Sequence, residues 1–371
     1  MTCILITGAR APAALHLARL MHDAGYQVVM SDSVRWPVSA VSRCVNGYTR
    51  VPVANGDPDA YANAINAVVR RHDVSRIIPT CEEVFALARM QDAGRLICPV
   101  FAPNLVLLTQ VHSKIGFVEL AQQIGLAVPD TTQLTTAEDV AAFTGDPRAH
   151  VFKPVWSRFA TSVQIKPKRP DFTPTPEAPW VAQRFIAGSE VCVYGIAQMG
   201  RLLGWAAYTP VYRAGQGASI AFQPIRASRI GEYMARFVAA TDWTGQIALD
   251  LILQDDGTPV GIECNPRATS GIHLFRDPKG FTGAIMDGAE VTPDVTGLQA
   301  VKLALAAYGP WSRPVQLWND MRCAQDVMGW PDDPRPMRRQ LLSTLEFTGI
   351  ALRHRIGLTA ATTHDIAWNG P

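Results

Sequence analysis

Apolar and polar positions divide the chain into three stretches with different periodicities. Residues 3–7 are an apolar run ending at Gly8, residues 13–22 carry helical spacing closed by Gly25, and residues 26–30 form a second run ending at Asp32. This order is that of a βαβ unit. Helical spacing over 57–71 and 82–92, on either side of a short strand at 76–79, continues the alternation and predicts a doubly wound parallel sheet. Beyond about residue 105 the pattern changes to a helix at 113–124, then Gly125, Pro129 and short strands. Five prolines within 166–180 exclude a central strand there and read as a surface excursion. Strands resume at 180–186, 190–197 and 202–208, followed by an amphipathic helix at 230–240. The region after residue 291 reads as mainly helical around 297–308 and 336–349, with a Trp- and Pro-rich segment between them, and no internal repeat is visible.

At 371 residues the chain is expected to hold two or three domains, since single cores stop growing at about 250–300 residues. The boundaries expected are 1–105, 106–290 with a mobile part at about 130–190, and 291–371. A net charge of +2 offers no field suited to nucleic acid or an anionic membrane as partner. No basic segment precedes the apolar start, Arg10 interrupts it, and no window reaches 18 apolar residues, so a soluble cytoplasmic protein is expected. Seven cysteines without a CxxC pair argue against a disulfide framework and a zinc site. Only six of the 34 basic side chains are lysines, which draws attention to Lys114 and Lys153, where a compact ammonium can do what a guanidinium cannot. No role is assigned to His16, His22, His112 or His273, whose spacing is not that of a metal site.

The chemistry concentrates in one predicted hairpin. Apolar runs at 247–253 and 258–262 flank Asp255-Asp256-Gly257, a turn signal that makes the strands antiparallel and sets Asp250 near Glu263 and Asn265. Two carboxylates and an amide form a hard-oxygen set suited to Mg2+ (or Mn2+) carrying nucleotide phosphates, with Arg267 adding a fixed positive charge. The plainer alternative is a surface hairpin with ordinary acidic residues. At the other end of the chain, Thr7-Gly8-Ala9-Arg10-Ala11-Pro12 lacks GxGxxG, so dinucleotide binding rests on Asp32 alone, which reads equally well as a cap.

In chain order, Lys114, Lys153, Gln183 to Ile186, Glu190, Asp250, Glu263, Asn265 and Arg267 resemble the nucleotide site of the ATP-grasp superfamily. The resemblance covers roughly residues 105–290, and the preceding α/β unit resembles the pre-ATP-grasp domain that accompanies it. It implies a pre-ATP-grasp doubly wound parallel sheet, a two-subdomain ATP-grasp fold and a mainly helical C-terminal segment. It also implies that Lys114 and Lys153 contact ATP phosphates, and that Gln183, Arg184, Phe185 and Ile186 meet the adenine. Glu190 would accept from the ribose hydroxyls, Asp250, Glu263 and Asn265 would hold the metal, and Arg267 would contact the transferred phosphoryl group or a substrate carboxylate. Two departures stand out. Ser113 replaces the usual Asp before the first lysine, and residues 155–162 contain no glycine where the family carries a glycine-rich phosphate loop, leaving Ser157 and Arg158 as the cradle.

The implied reaction phosphorylates a small carboxylate and passes the acylphosphate to an amine, less often a thiol, giving an ADP-forming ligase for amino-acid-like substrates. Arg213, in a polar stretch read as a loop over 212–219, is a candidate for holding a carboxylate or a turn residue only. Thr269, Ser270 and Gly271 form a candidate anion-binding turn. Thr80, Glu82 and Glu83 sit where open α/β sheets present ligands, so either glutamate could hold an ammonium, or both simply favour a helix dipole. Small-molecule carboxylate and amine partners follow, and a homodimer is compatible with the Trp-rich segment. The competing readings are a catalytically silent ATP-binding regulatory or scaffold protein and an NAD-linked oxidoreductase.

Overall fold

The computed structural model describes residues 1–158, 162–215 and 217–370. The first unit runs β1 (Cys3–Thr7), α1 (Pro12–Asp23), β2 (Gln27–Asp32), β3 (Gly47–Arg50), α2 (Pro58–His72), β4 (Val74–Ile78) and α3 (Glu83–Asp92). Its strands lie in the order β3-β2-β1-β4 and are parallel throughout, as the βαβ pattern predicts. All of β1 is buried, which is why its residues read as a continuous apolar run. Helix α2 starts where the Asp57 carboxylate accepts from the Asp59 and Ala60 N–H groups. Strand β3 was not foreseen because Gly47-Tyr48-Thr49-Arg50 is short and polar.

Two helices follow, α4 (Leu105–His112) and α5 (Lys114–Gln123), capped by Asn104 and Ser113. A four-stranded antiparallel sheet then forms from β5 (Thr131–Leu134), β6 (His150–Pro154), β7 (Gln164–Ile165) and β8 (Trp180–Arg184), ordered β5-β8-β6-β7, with α6 (Ala137–Ala142) after β5. Its core is small, Leu134, Phe152 and Ala182, and Phe172 from the proline-rich excursion stacks on Trp180 with centroids 4.0 Å apart.

The largest sheet contains β9 (Ser189–Gln198), β10 (Arg201–Ala214), β11 (Ala218–Ile225), β12 (Gly245–Leu253) and β13 (Pro259–Asn265), with α7 (Ser228–Ala240) and α8 (Pro278–Met286) packed on it. Two short strands, β14 (Gln299–Ala300) and β15 (Gln325–Asp326), extend it to β13-β12-β9-β10-β11-β14-β15. The remaining helices are α9 (Lys302–Tyr308), α10 (Pro314–Cys323), α11 (Arg335–His354) and α12 (Leu358–Ala361). Two expectations are corrected here. The stretch 212–219 is not an open loop, because β10 and β11 pair through Arg213↔Ser219 and Ala214↔Ala218 and turn at Gly215, whose φ is +63°. The helix expected to begin at Gly297 is preceded by β14, since Ala300 pairs with Ala221.

Two apolar cores join the parallel sheet to the large one. Trp243, Phe237 and Phe117 pack with Ile77 and Phe85, while Tyr194 and Phe275 pack with Ile4 and Leu17. Region 330–370 is tied to the first unit by buried charge as well. The Arg19–Asp333 pair is 2.9 Å apart with both side chains at most 1% exposed, and Asp333 also accepts from Ser42 Oγ and Arg43 N–H. Among the described residues no helix is long and apolar enough to cross a membrane.

Removing one partner of a buried ion pair strands the other charge, so Asp333→Ala is expected to destabilise the fold by about 3–5 kcal/mol, read from urea unfolding. A midpoint equal to wild type would show that Arg19 is solvated another way.

Candidate active site

A cavity of about 510 Å3 opens between the four-stranded sheet and the large sheet. The β12–β13 hairpin supplies its floor, and its register places Asp250 directly opposite Glu263 and Ala248 opposite Asn265. Asn265 Nδ2 donates to Asp250 Oδ2 at 3.0 Å, and Arg267 Nη2 donates to Asn265 Oδ1 at 3.2 Å. Burial and the facing Glu263 push the Asp250 carboxyl up to about 6. Burial also opposes ionisation of Glu263, but Lys114 and Lys153 outweigh it and hold that carboxyl below its ordinary value.

The two lysines do different things. Lys153 lines the cavity at the end of β6, donates to Ile262 O at 3.1 Å, and is lowered to about 8 by burial. Lys114 lies behind the wall, 2% exposed, with Nζ bonded to Val155 O (3.4 Å) and Ser157 O (3.2 Å) and 3.5 Å from Glu263 Oε2. It fastens the first turn of α5, the segment after β6 and the floor carboxylate to one another.

The opposite wall is the crossover from β8 to β9, residues 183–190. Gln183, Arg184, Phe185, Ile186 and Glu190 all line the cavity. Gln183 Nε2 donates to Thr131 Oγ1 at 3.2 Å, and the Arg184 and Phe185 N–H groups are engaged by Asp130 O and Ala149 O, both at 2.8 Å. Gly188 is required where it stands, with φ at +149° and a Cβ position only 2.4 Å from Leu253 O. Arg213, a candidate for holding a carboxylate or a turn residue only, pairs with Glu190 at 2.5 Å and donates to Gly217 O at 2.9 Å across its own turn.

Ser157, Thr269 and Ser270 line the cavity, but Gly271 does not. A Cβ on Gly271 would lie 2.4 Å from the Tyr194 Cβ, so close packing is what requires a glycine at this position. Glu83 does not line the cavity either and stands in the first turn of α3, as its helix-dipole reading has it. It is buried beneath the β1 and β4 ends, accepting from Thr7 Oγ1 (2.6 Å) and the N–H groups of Thr80 (3.1 Å) and Cys81 (3.2 Å). Glu82 is 2% exposed and accepts from Arg158 Nε and, at 3.1 Å, from the Trp368 N–H, with Oε1 3.9 Å from Arg267 Nε. Burial resists its charge, but His112, Arg158 and Arg267 prevail and keep it ionised below the usual range. Thr161, part of the glycine-free stretch, lies outside the described residues. Cys192 and Tyr208 also line the cavity and were not anticipated, since their strands read simply as apolar. Nothing local marks Trp368 as a neighbour of Glu82 across 286 positions.

A family model for the ATP-grasp domain matches residues 111–271, the segment that carries every wall of this cavity. Residues 111–271 are an ATP-grasp domain. No curated protein sequence matches the chain. The ATP-grasp assignment agrees with the fold of several solved structures. N5-carboxyaminoimidazole synthetase from Staphylococcus aureus is 11% identical with a TM-score of 0.62, over 82% of this chain and 84% of that one. L-amino acid ligase from Bacillus licheniformis is 15% identical with a TM-score of 0.57, over 77% and 74%. The biotin carboxylase domain of Hydrogenobacter thermophilus 2-oxoglutarate carboxylase, solved with MgADP, ADP and bicarbonate, is 13% identical with a TM-score of 0.59, over 81% and 74%. At these identities the likeness concerns the ATP-grasp fold and its preceding α/β unit.

Because Lys114 is buried and compensates Glu263, Lys114→Met is expected to cost about 1–3 kcal/mol of stability in urea unfolding. An unchanged midpoint would mean that the carboxylate finds its compensation elsewhere.

Proposed function

We propose that the chain is an ATP-dependent, ADP-forming ligase that activates a small carboxylate as an acylphosphate and joins it to an amine of amino-acid-like character. The observation that carries this reading is the β12–β13 hairpin, which sets Asp250 against Glu263 beside Asn265 and Arg267 and across from Lys153 in a single cavity. Two half-buried carboxylates facing each other, one of them raised by desolvation and by the other's charge, form a donor set that a divalent cation completes. Asp250, Glu263 and Asn265 would hold Mg2+, which when bound neutralises phosphate charge and aligns the transferred group. Support for a nucleotide comes from the ATP-grasp match and from the MgADP bound by the structurally similar biotin carboxylase domain.

In this reading Gln183 and the backbone near Ile186 face the adenine, and Glu190 accepts from the ribose once it shares or releases Arg213. Lys153 and Arg267 bring positive charge to the phosphates, where phosphoryl transfer is governed by positioning and charge neutralisation. The acceptor carboxylate takes the γ-phosphoryl group as the bond to ADP breaks. The amine nitrogen then attacks the carbonyl carbon, the C–O bond to phosphate breaks, and phosphate leaves with that electron pair. The nitrogen's proton passes to phosphate or water. Exclusion of water from the mixed anhydride falls to the four-stranded sheet, which we take to be the mobile part of residues 106–290, hinged at 185–188. Residues 1–105 and 291–371 are the flanking units.

The test is ADP and phosphate release from Mg-ATP across pooled carboxylates, each with and without pooled amines. Turnover is expected when both are supplied, and Lys153→Ala or Glu263→Ala should reduce it by about 100-fold or more with the circular dichroism spectrum unchanged. Full activity of Glu263→Ala would sink the reading. Because an exposed ion pair is weak, Arg213→Ala should release Glu190 and tighten Mg-ADP binding by up to about fivefold in calorimetry. A weaker affinity would instead place Arg213 on the nucleotide.

A further inference from the structure

Residues 362–370 fold back across the carboxyl ends of β1, β2 and β4 towards the rim of the cavity. Asp365 is the anchor. Arg10 Nη1 and Nη2 donate to its two oxygens at 2.5 and 2.8 Å, Ser33 Oγ donates to Oδ2, and Ile366 is buried beside this pair. Two residues beyond Ile366, Trp368 bonds to both members of the directly paired Glu82 and Arg158. Its N–H donates to Glu82 Oε2 at 3.1 Å, its carbonyl accepts from Arg158 Nη2, and Arg158 Nη1 donates to Asn369 Oδ1 at 2.9 Å. The indole stacks on Phe85, centroids 5.3 Å and planes 5° apart, and the Arg89 guanidinium sits over it at 4.7 Å.

A carboxylate that holds N–H and a guanidinium that holds oxygen, both on one residue, form a clamp with a definite chemical complement. A free α-amino acid offers the same pattern, an ammonium and a carboxylate on one carbon, with a full charge at each end. Those charge-assisted bonds are stronger than the ones made by the neutral amide of Trp368. Glu82 Oε1, buried and without a hydrogen-bond partner among the described residues, is left over to accept from the further N–H groups that an ammonium has and an amide lacks. It lies 3.9 Å from Arg267 Nε, and Arg267 lines the nucleotide cavity, so an amine held there stands at the edge of the reaction space.

We propose that Glu82, Arg158, Phe85 and Arg89 form the amine-acceptor subsite, that its ligand is an α-amino acid with a planar side chain, and that residues 365–370 are an intrachain occupant which the ligand displaces. The assignment of the ligand as acceptor rests on the ligase reading above. Self-occupancy lowers the apparent affinity for the amino acid by the fraction of molecules in which the segment is lifted. The same displacement exchanges the Trp368 carbonyl on Arg158 for the ligand's carboxylate, and because Arg158 follows the Ser157 carbonyl held by Lys114, it couples amino-acid binding to the other side of the cavity.

Calorimetry of the full chain with L-tryptophan tests this, with tryptamine (no carboxylate) and indole-3-propionate (no ammonium) as controls. Two variants weaken the occupant at different places, Trp368→Ala within the clamp and Asp365→Asn at the distant anchor. Each is expected to bind L-tryptophan about tenfold tighter than wild type. Neither control should match it, and Glu82→Gln in the Trp368→Ala background should abolish the gain. In wild type, L-tryptophan should speed amide hydrogen exchange across 365–370. Absence of L-tryptophan binding in both variants, or equal binding of either control, overturns the subsite. A parallel Mg-ADP titration separates the two ideas. Nucleotide binding without amino-acid binding overturns the subsite and leaves the ligase reading, whereas amino-acid binding without nucleotide binding overturns the ligase reading and leaves the subsite.

Discussion

Two carboxylates on paired strands, partly withdrawn from water and set face to face, repel each other unless cations stand close by. Asp250 and Glu263 are in that position, and much of the surrounding architecture answers the constraint. Lys114 comes from the start of α5 and Lys153 from the end of β6, so two elements of different sheets and layers are brought to the hairpin by charge. The compensation is uneven. Glu263 has both ammonium groups near it and stays ionised, whereas Asp250 has Asn265 and the more distant Arg267 and is raised. The floor of the cavity therefore retains a carboxylate whose charge is not fully compensated, which suits the metal and phosphate site proposed for it.

Charge also governs how the distant parts of the chain meet. Arg19 with Asp333, Arg10 with Asp32 and Asp365, and Arg158 with Glu82 each join residues far apart in sequence, in places where water is largely excluded. Pairs of this kind contribute less to net stability than to the choice of one arrangement, because any misplacement leaves a bare buried charge. The Arg158–Glu82 pair has a second consequence. Arg158, in the glycine-free stretch after β6, is fastened to the first unit and to Trp368. The cavity edge at Arg267, the parallel sheet and residues 365–370 thus meet around Glu82.

Several features were legible in the chain because they depend on neighbours in sequence. The parallel sheet followed from alternating strand and helix periods, and helix α5 begins where Ser113 caps it. The antiparallel hairpin and the nearness of Asp250 to Glu263 followed from two apolar runs and an Asp-Asp-Gly turn, but the direct Asp250↔Glu263 pairing depends on a register shift between Asp250 and Leu251, without which Asp250 would face Ile262. Where the reading missed, the deciding interaction was non-local. The stretch 212–219 is polar and glycine-rich, yet pairing between β10 and β11 draws it into the sheet. β14 is two residues long, too short for a period to register, and exists only because β11 offers an edge.

Local chemistry thus determined the fold class, the acidic hairpin and the order in which the proposed site residues occur, since strand period, turn type and capping act over a few positions. Tertiary structure alone decided what those residues face. It put Lys114 behind the wall rather than in the cavity, gave Arg213 to Glu190, sent Glu83 inward to Thr7 and Glu82 outward to Arg158, and laid Trp368 across the clamp. The reason is physical. Partner choice among charged and polar side chains depends on which groups share a region from which water is excluded, and that is settled only when elements far apart in sequence pack together.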